Sequence, residues 1–214
     1  ADQANSELAF TARSVLGATL NALGEYEQAR RVLAPAREAL IGIFGPQHPT
    51  SLITTVNLAD AHSGVGDYES ALECFGYVLD ERARSMPEGH PARLSMHSSV
   101  GLTLIKLGRY EEAESHLRRV AEHPGAVVLT GVDVKSNARC NLSLLLVETR
   151  RFEEAEPIAR FEFEARNASL ARSDRDRLFV LEILVRSLLG RAKFEEALPL
   201  ARELVEATGD PARE

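Results

Sequence analysis

An aromatic residue returns every 42 positions along this chain, at Tyr26, Tyr68, Tyr110, Phe152 and Phe194. Each opens a tetrad that ends in alanine: Ala29, Ala71, Ala113, Ala155 and Ala197. A period of this length marks a repeat array, in which each unit buries its apolar face against the next. Five copies in phase fill the 214 residues. A single solenoid domain over 1–214 is therefore expected, with repeats near 5–47, 48–89, 90–131, 132–173 and 174–214.

Each repeat carries two helical patterns. Ten residues before the anchor stands Leu16, Leu58, Val100, Leu142 or Leu184, and one residue later a mostly small one: Gly17, Ala59, Gly101, Ser143 or Val185. Six before the anchor stands Leu20, His62, Leu104, Leu146 or Leu188. Three-and-four spacing makes one buried stripe of a helix. This helix A spans roughly 50–63 in the second repeat. Helix B begins at or near the anchor, and in the same repeat its stripe runs Tyr68, Ala71, Leu72, Phe75, Val78, Leu79. Aromatics at only 6% and the absence of Trp fit helices better than sheets. The expected fold is all-α.

Glycine punctuates the first three hairpins, with Gly24, Gly66 and Gly108 two residues before their anchors. Glycine takes without strain the left-handed conformation that ends a helix. Arg150 and Ala192 replace it in the last two repeats, so their turns are expected to be made differently. Pro35 lies nine residues after Tyr26 and predicts a kink in the first helix B. The acidic pairs Glu111-Glu112, Glu153-Glu154 and Glu195-Glu196 fall in first turns, where they suit the helix dipole.

This unit resembles the tetratricopeptide repeat. Asn57-Leu58-Ala59, Gly66-Asp67-Tyr68 and Ala71 carry the likeness most clearly. The usual repeat has about 34 residues; the longer period here, with Phe44-Gly45-Pro46-Gln47-His48-Pro49 and Pro87-Glu88-Gly89-His90-Pro91 before helix A, looks like the kinesin-light-chain variety. The later repeats depart from it, lacking the turn glycine and the His-Pro pair. Glu162 also stands where Val78, Val120 and Leu204 stand in other copies. The resemblance implies a right-handed α-solenoid of five antiparallel hairpins, with helix A residues lining a concave groove that binds peptides or proteins.

Carried over residue by residue, the groove positions fall 15, 12, 11 and 8 residues before each anchor. The polar candidates among them are Asn57, Asp60, Ser95, Ser99, Asn137, Asn141, Glu182 and Arg186. Asn57, Ser99 and Asn141 share one phase and could hold the backbone of an extended peptide. Equally, they could hydrogen-bond within the solenoid or with water. Members that clamp a terminal carboxylate place Lys or Arg where this chain has Ser14, Val56, Ser98, Cys140 and Glu182. That argues against such a clamp. Arg186 supplies the groove's positive charge, with Lys106 near the edge.

No chemistry emerges from the spacing of reactive residues. Six histidines lack any metal-ligand pattern; His48 and His90 repeat in phase, as loop-packing residues would, and His62 falls on a buried stripe. Cys140 falls on the expected groove, but as a lone Cys with no His near it in sequence it is weak evidence for a nucleophile. No catalytic residue, metal or cofactor is expected, and no enzyme. The net charge of −7 argues against direct nucleic-acid binding. No apolar run is long enough for a membrane span, and two cysteines fit a reducing, cytoplasmic setting.

One irregularity remains. After the third helix B, Pro124-Gly125 precedes the apolar run Ala126-Val127-Val128-Leu129 and then Thr130-Gly131. It reads either as a loop packing on its neighbours or as a partner contact. The expected function is a non-enzymatic scaffold that binds a protein or peptide, as the sensing or regulatory part of a larger bacterial protein. The absence of an initiator Met fits such an excised piece. The alternative is a homodimer formed through the last helix B, by Leu198, Ala201, Leu204 and Val205.

Overall fold

The computed structural model describes residues 2–125, 127–129 and 132–209 of the chain. By internal contacts it divides into two compact units, Ala1–Ala113 and Glu114–Glu214. In chain order the helices are α1 (Asp2–Ala22), α2 (Tyr26–Phe44), α3 (Pro49–Gly64), α4 (Tyr68–Ser85), α5 (Pro91–Lys106) and α6 (Tyr110–Ala121). A short antiparallel pair follows, β1 (Val128–Leu129) and β2 (Val132–Asp133). The order then resumes with α7 (Val134–Glu148), α8 (Phe152–Ser169), α9 (Arg175–Gly190) and α10 (Phe194–Thr208). Each aromatic anchor is the first residue of its helix B.

In the first unit α2 packs between α1 and α3, α4 packs between α3 and α5, and α1 also touches α3. In the second, α8 packs between α7 and α9, α10 packs on α9, and α7 touches α9. The expected stripes are the buried ones: Ala71, Phe75 and Val78 on α4, and Val100, Leu104, Leu142, Leu146, Leu184 and Leu188 on helices A. Leu16 of α1 differs, being 49% exposed. Small residues serve close approach. A Cβ on Gly64 would lie 2.2 Å from the Tyr26 ring, and one on Gly190 would lie 2.4 Å from the Phe152 ring.

Helix A starts are capped by side chains, which satisfy main-chain donors that would otherwise be orphaned. The Nδ1 atoms of His48 and His90 accept from the N–H groups of Thr50 and Ala92 at 3.3 and 3.2 Å. Pro49 and Pro91 follow directly, at a position where proline loses nothing. In the later repeats, which lack His-Pro, Asp133 and Asp174 take over the capping.

All five hairpins close with one turn. The residue before the anchor donates its N–H five positions back, as in Asp67 to the His62 carbonyl at 2.9 Å. The preceding residue donates to the carbonyl three back, as in Gly66 to Ser63 at 3.1 Å. This is the Schellman arrangement, and it requires a positive φ. Gly24, Gly66 and Gly108 adopt it at 77°, 82° and 73°; Arg150 and Ala192 adopt it too, at 59° and 56°. The expectation of a different turn in the last two repeats is therefore corrected. Packing of the two helices sets the turn, and the side chains there accept the strain.

Pro35 lies inside α2, which extends on both sides of it. Two further features stand out. The irregular segment after α6 forms a two-stranded hairpin, with Val127 buried and Val128 54% exposed; Ala126, Thr130 and Gly131 lie outside the described residues. Glu162 is buried at 1% exposure, where it accepts from Ser136, Arg139 and Arg166.

Candidate functional site

Helices α1 and α3 border one shallow concavity of about 430 Å³, lined by Ser14, Val15, Ala18, Thr19, Ala22, Ile53 and Asn57. Its surface is mostly apolar, and Val15 and Ile53 are more than half exposed. The Asn57 carbonyl accepts from the Asn21 amide at 2.7 Å. The side-chain amide of Asn57 has no partner among the described residues. It thus keeps two donors and an acceptor for whatever enters.

A second concavity, of about 240 Å³, lies between α3, α4 and α5. It is lined by Asp60, Ser63, Tyr68, Phe75, Ser99, Leu102, Thr103 and Lys106. Among the described residues no hydrogen bond or ion pair engages the Asp60 carboxylate, and no salt bridge joins it to Lys106. Asp60 is exposed to solvent, with α3, α4 and α5 around it. Desolvation by these helices pushes its carboxyl up to about 6. Thr103 donates its hydroxyl proton to the Ser99 carbonyl at 2.9 Å, and Ser99 leans toward the Ser95 carbonyl at 3.5 Å. Those hydroxyls keep their lone pairs as acceptors.

In the second unit, Asn137 is exposed and Asn141 half-buried on α7. Neither amide has a partner among the described residues. On α9 the charges are already engaged: Arg186 donates to Glu148 at 2.8 Å and lies 3.9 Å from Glu182. Among the described residues, Asp60 is the charged groove candidate whose head group is unpaired.

Several positions implied as groove-lining are largely covered, Ser14 of the first concavity among them. Ser14, Ser98, Cys140, Leu144 and Ile183 are buried. Ser14 shows why, for its hydroxyl meets that of Thr54 at 2.7 Å, on the neighbouring helix A. Residues twelve and eleven before the anchor diverge by about 100° around the helix, so one faces out while the other turns to the next helix. Burial pushes the Cys140 thiol up to about 12, which makes it a poor nucleophile. Among the described residues no cluster of three His, Cys, Asp or Glu could hold a metal ion. Nor, among the described residues, is any helix long and apolar enough to cross a membrane.

The sequence missed Ser63, Tyr68, Phe75 and Thr103 as cavity residues. The overlooked signal lies four residues before each anchor. Gly64 and Gly190 stand there in two repeats, each receiving the ring of the preceding repeat's anchor. Lys106 holds that place in the third repeat, and Tyr68 lines an open cavity beside it.

Two sequence models described as tetratricopeptide repeat match residues 8–80 and 56–127, together more than half of the chain. The chain belongs to the tetratricopeptide repeat family. Solved structures agree on the fold. Nearly identical tetratricopeptide-like repeats of a Podosopora anserina protein, classed with the kinesin light chains, superpose with TM-score 0.70 at 18% identity, covering 92% of this chain and 93% of that one. BtubC from P. vanneervenii gives 0.73 at 14% identity, covering 95% and 81%. MamA of strain AMB-1 gives 0.54 at 18%, covering 96% of each. At these identities the likeness speaks to fold alone: all-α, built from tetratricopeptide hairpins. Curated proteins yielded no match. Tetratricopeptide repeats generally mediate protein–protein interaction and scaffolding.

Proposed function

We propose that this tetratricopeptide protein is a non-enzymatic scaffold that holds an extended segment of a partner protein on the outward face of its helices A. The observation that carries this reading is the free amide of Asn57 beside the apolar surface of Val15 and Ile53. A donor-and-acceptor group next to apolar area suits a peptide, whose backbone alternates both kinds of group. Asn137 and Asn141 offer the same chemistry in the second unit. Direct nucleic-acid binding is disfavoured by the net charge of −7. A regulatory part of a larger cytoplasmic bacterial protein is the setting we favour.

The test is capture from lysate of the source cell on wild type and on the Asn57→Ala/Asn141→Ala double variant. A partner kept by wild type and lost by a folded double variant supports the groove. Equal recovery on both baits sinks it.

A second reading, self-assembly, draws on α10. Phe194, Leu198 and Val205 there are 63%, 52% and 59% exposed, whereas Ala201 and Leu204 are half-buried. Light scattering across a concentration series decides it, since a constant monomer mass removes the homodimer.

A further inference from the structure

We propose that the cavity between α3, α4 and α5 is a specificity pocket for a basic side chain, arginine foremost, carried by the extended partner. This inference rests on the groove reading above and gives it a sequence preference.

Four features of the cavity converge on that occupant. The first is charge. Asp60 presents a carboxylate that no described residue pairs, although Lys106 lines the same space. Asp60 is exposed and unpaired, so an incoming cation can reach it and form a charge-assisted hydrogen bond. The helices around it also push the Asp60 carboxyl up to about 6, and a bound cation would favour its charged form.

The second is size. About 240 Å³ is smaller than the roughly 300–1,000 Å³ of pockets for drug-sized ligands, and suits one long side chain. The third is the wall. Tyr68, Phe75 and Leu102 supply apolar surface for a methylene stem, and the two rings favour a cation nearby. The fourth is the supply of acceptors. Ser63, Ser99 and Thr103 add hydroxyl oxygens to the carboxylate. A guanidinium has five donors and no acceptor, which matches this lining better than a compact ammonium does. An acidic side chain would find only Lys106.

The experiment uses the full chain against pools of capped nonapeptides with random flanks and a fixed central Arg, Lys, citrulline or Glu. Citrulline keeps the shape of arginine and removes its charge. Wild type should bind the Arg pool on the order of ten-fold tighter than the citrulline and Glu pools, with Lys between. In Asp60→Asn, checked for folding by circular dichroism, that ratio should fall to about one while weak binding of every pool persists. Lys106→Met should widen the ratio by removing a like charge.

Equal binding of all pools by wild type overturns the pocket and leaves the groove intact. An arginine preference that survives in Asp60→Asn does the same. Absence of binding to any pool overturns both.

Discussion

The main-chain N–H of Arg151 donates to the Leu146 carbonyl at 2.7 Å, while Arg150 between them sits at φ 59°. This is the turn that glycine makes in the first three repeats, here imposed on a residue with a Cβ. A left-handed L-residue costs about 1–2 kcal/mol. Arg150→Gly and Ala192→Gly should therefore each stabilise the protein by about 1 kcal/mol, raising the urea midpoint without changing the slope. Gly66→Ala should lose a similar amount. If both glycine variants are less stable than wild type, strain does not reside at these turns.

Asp60 carries a cost of its own. Its folded-state pKa of about 6 lies above its ordinary 3.8, so the native chain holds the proton more tightly than the unfolded one. The resulting stabilisation is fully present below pH 3.8 and is lost as the pH rises through 6. Asp60→Asn, which mimics the protonated form, should raise the melting temperature at pH 7.5 and leave it nearly unchanged at pH 3.5. Solvent access screens part of the effect, so the expected gain is about 1 kcal/mol, or roughly 2–4 °C. The ionisable groups lining the same cavity are Lys106 of α5 and Tyr68 of α4. A gain that is the same at both pH values would show that packing, not charge, is responsible.

Glu162 replaces an apolar residue of the repeat pattern with a buried acid that ties Ser136, Arg139 and Arg166 together. Removing it alone leaves two guanidinium groups facing an apolar gap, with Arg139 24% and Arg166 12% exposed. Glu162→Leu should cost about 2–4 kcal/mol, less than for a fully buried pair because both arginines keep some water. Adding Arg139→Leu and Arg166→Leu should recover most of that loss, because the buried charges then disappear together and only the exposed Asp133, 3.6 Å from Arg139, loses a partner. Chemical denaturation of the single and triple variants reads this directly. A triple variant weaker than the single one would mean that the arginines stabilise through other contacts.

Local, periodic features were legible in the sequence, and contacts set by neighbouring helices were not. The anchors gave the start of every helix B, since an aromatic after a turn is a local mark. His48 and His90 repeated in phase because both cap a helix A. By contrast, Ser14 and Asn57 both belong to groove positions, yet Ser14 is buried against Thr54 and Asn57 is not. That difference depends on how far the neighbouring helix A covers each residue. The Asp60 cavity was half visible. Asp60 and Ser99 followed from the phase, whereas Tyr68 and Phe75 read as core because their stripe is the packing stripe. Arg150 misled for the opposite reason, since its side chain suggested a different turn where the backbone had no alternative.

Glu156 gives the acid limit of the second unit. Burial on its own would raise its pKa; hydrogen bonds from Lys193 at 2.8 Å, Arg160 at 2.9 Å and Arg191 outweigh that and hold the carboxyl down to about 2. Because the folded-state value lies below the ordinary 4.5, this contribution is present above pH 4.5 and is lost as the pH falls through 2. Glu156→Gln should cost up to about 3 kcal/mol at pH 7, reduced by the partial exposure of its three cationic partners. The penalty should shrink through pH 4 and vanish near pH 2. The three cations come from α8 itself and from the turn between α9 and α10, so the carboxylate fastens that hairpin to its predecessor. Urea titrations of wild type and variant at pH 7, 4 and 2 test the claim. A penalty that does not change with pH would assign Glu156 a packing role and remove the ion network from the account of acid stability.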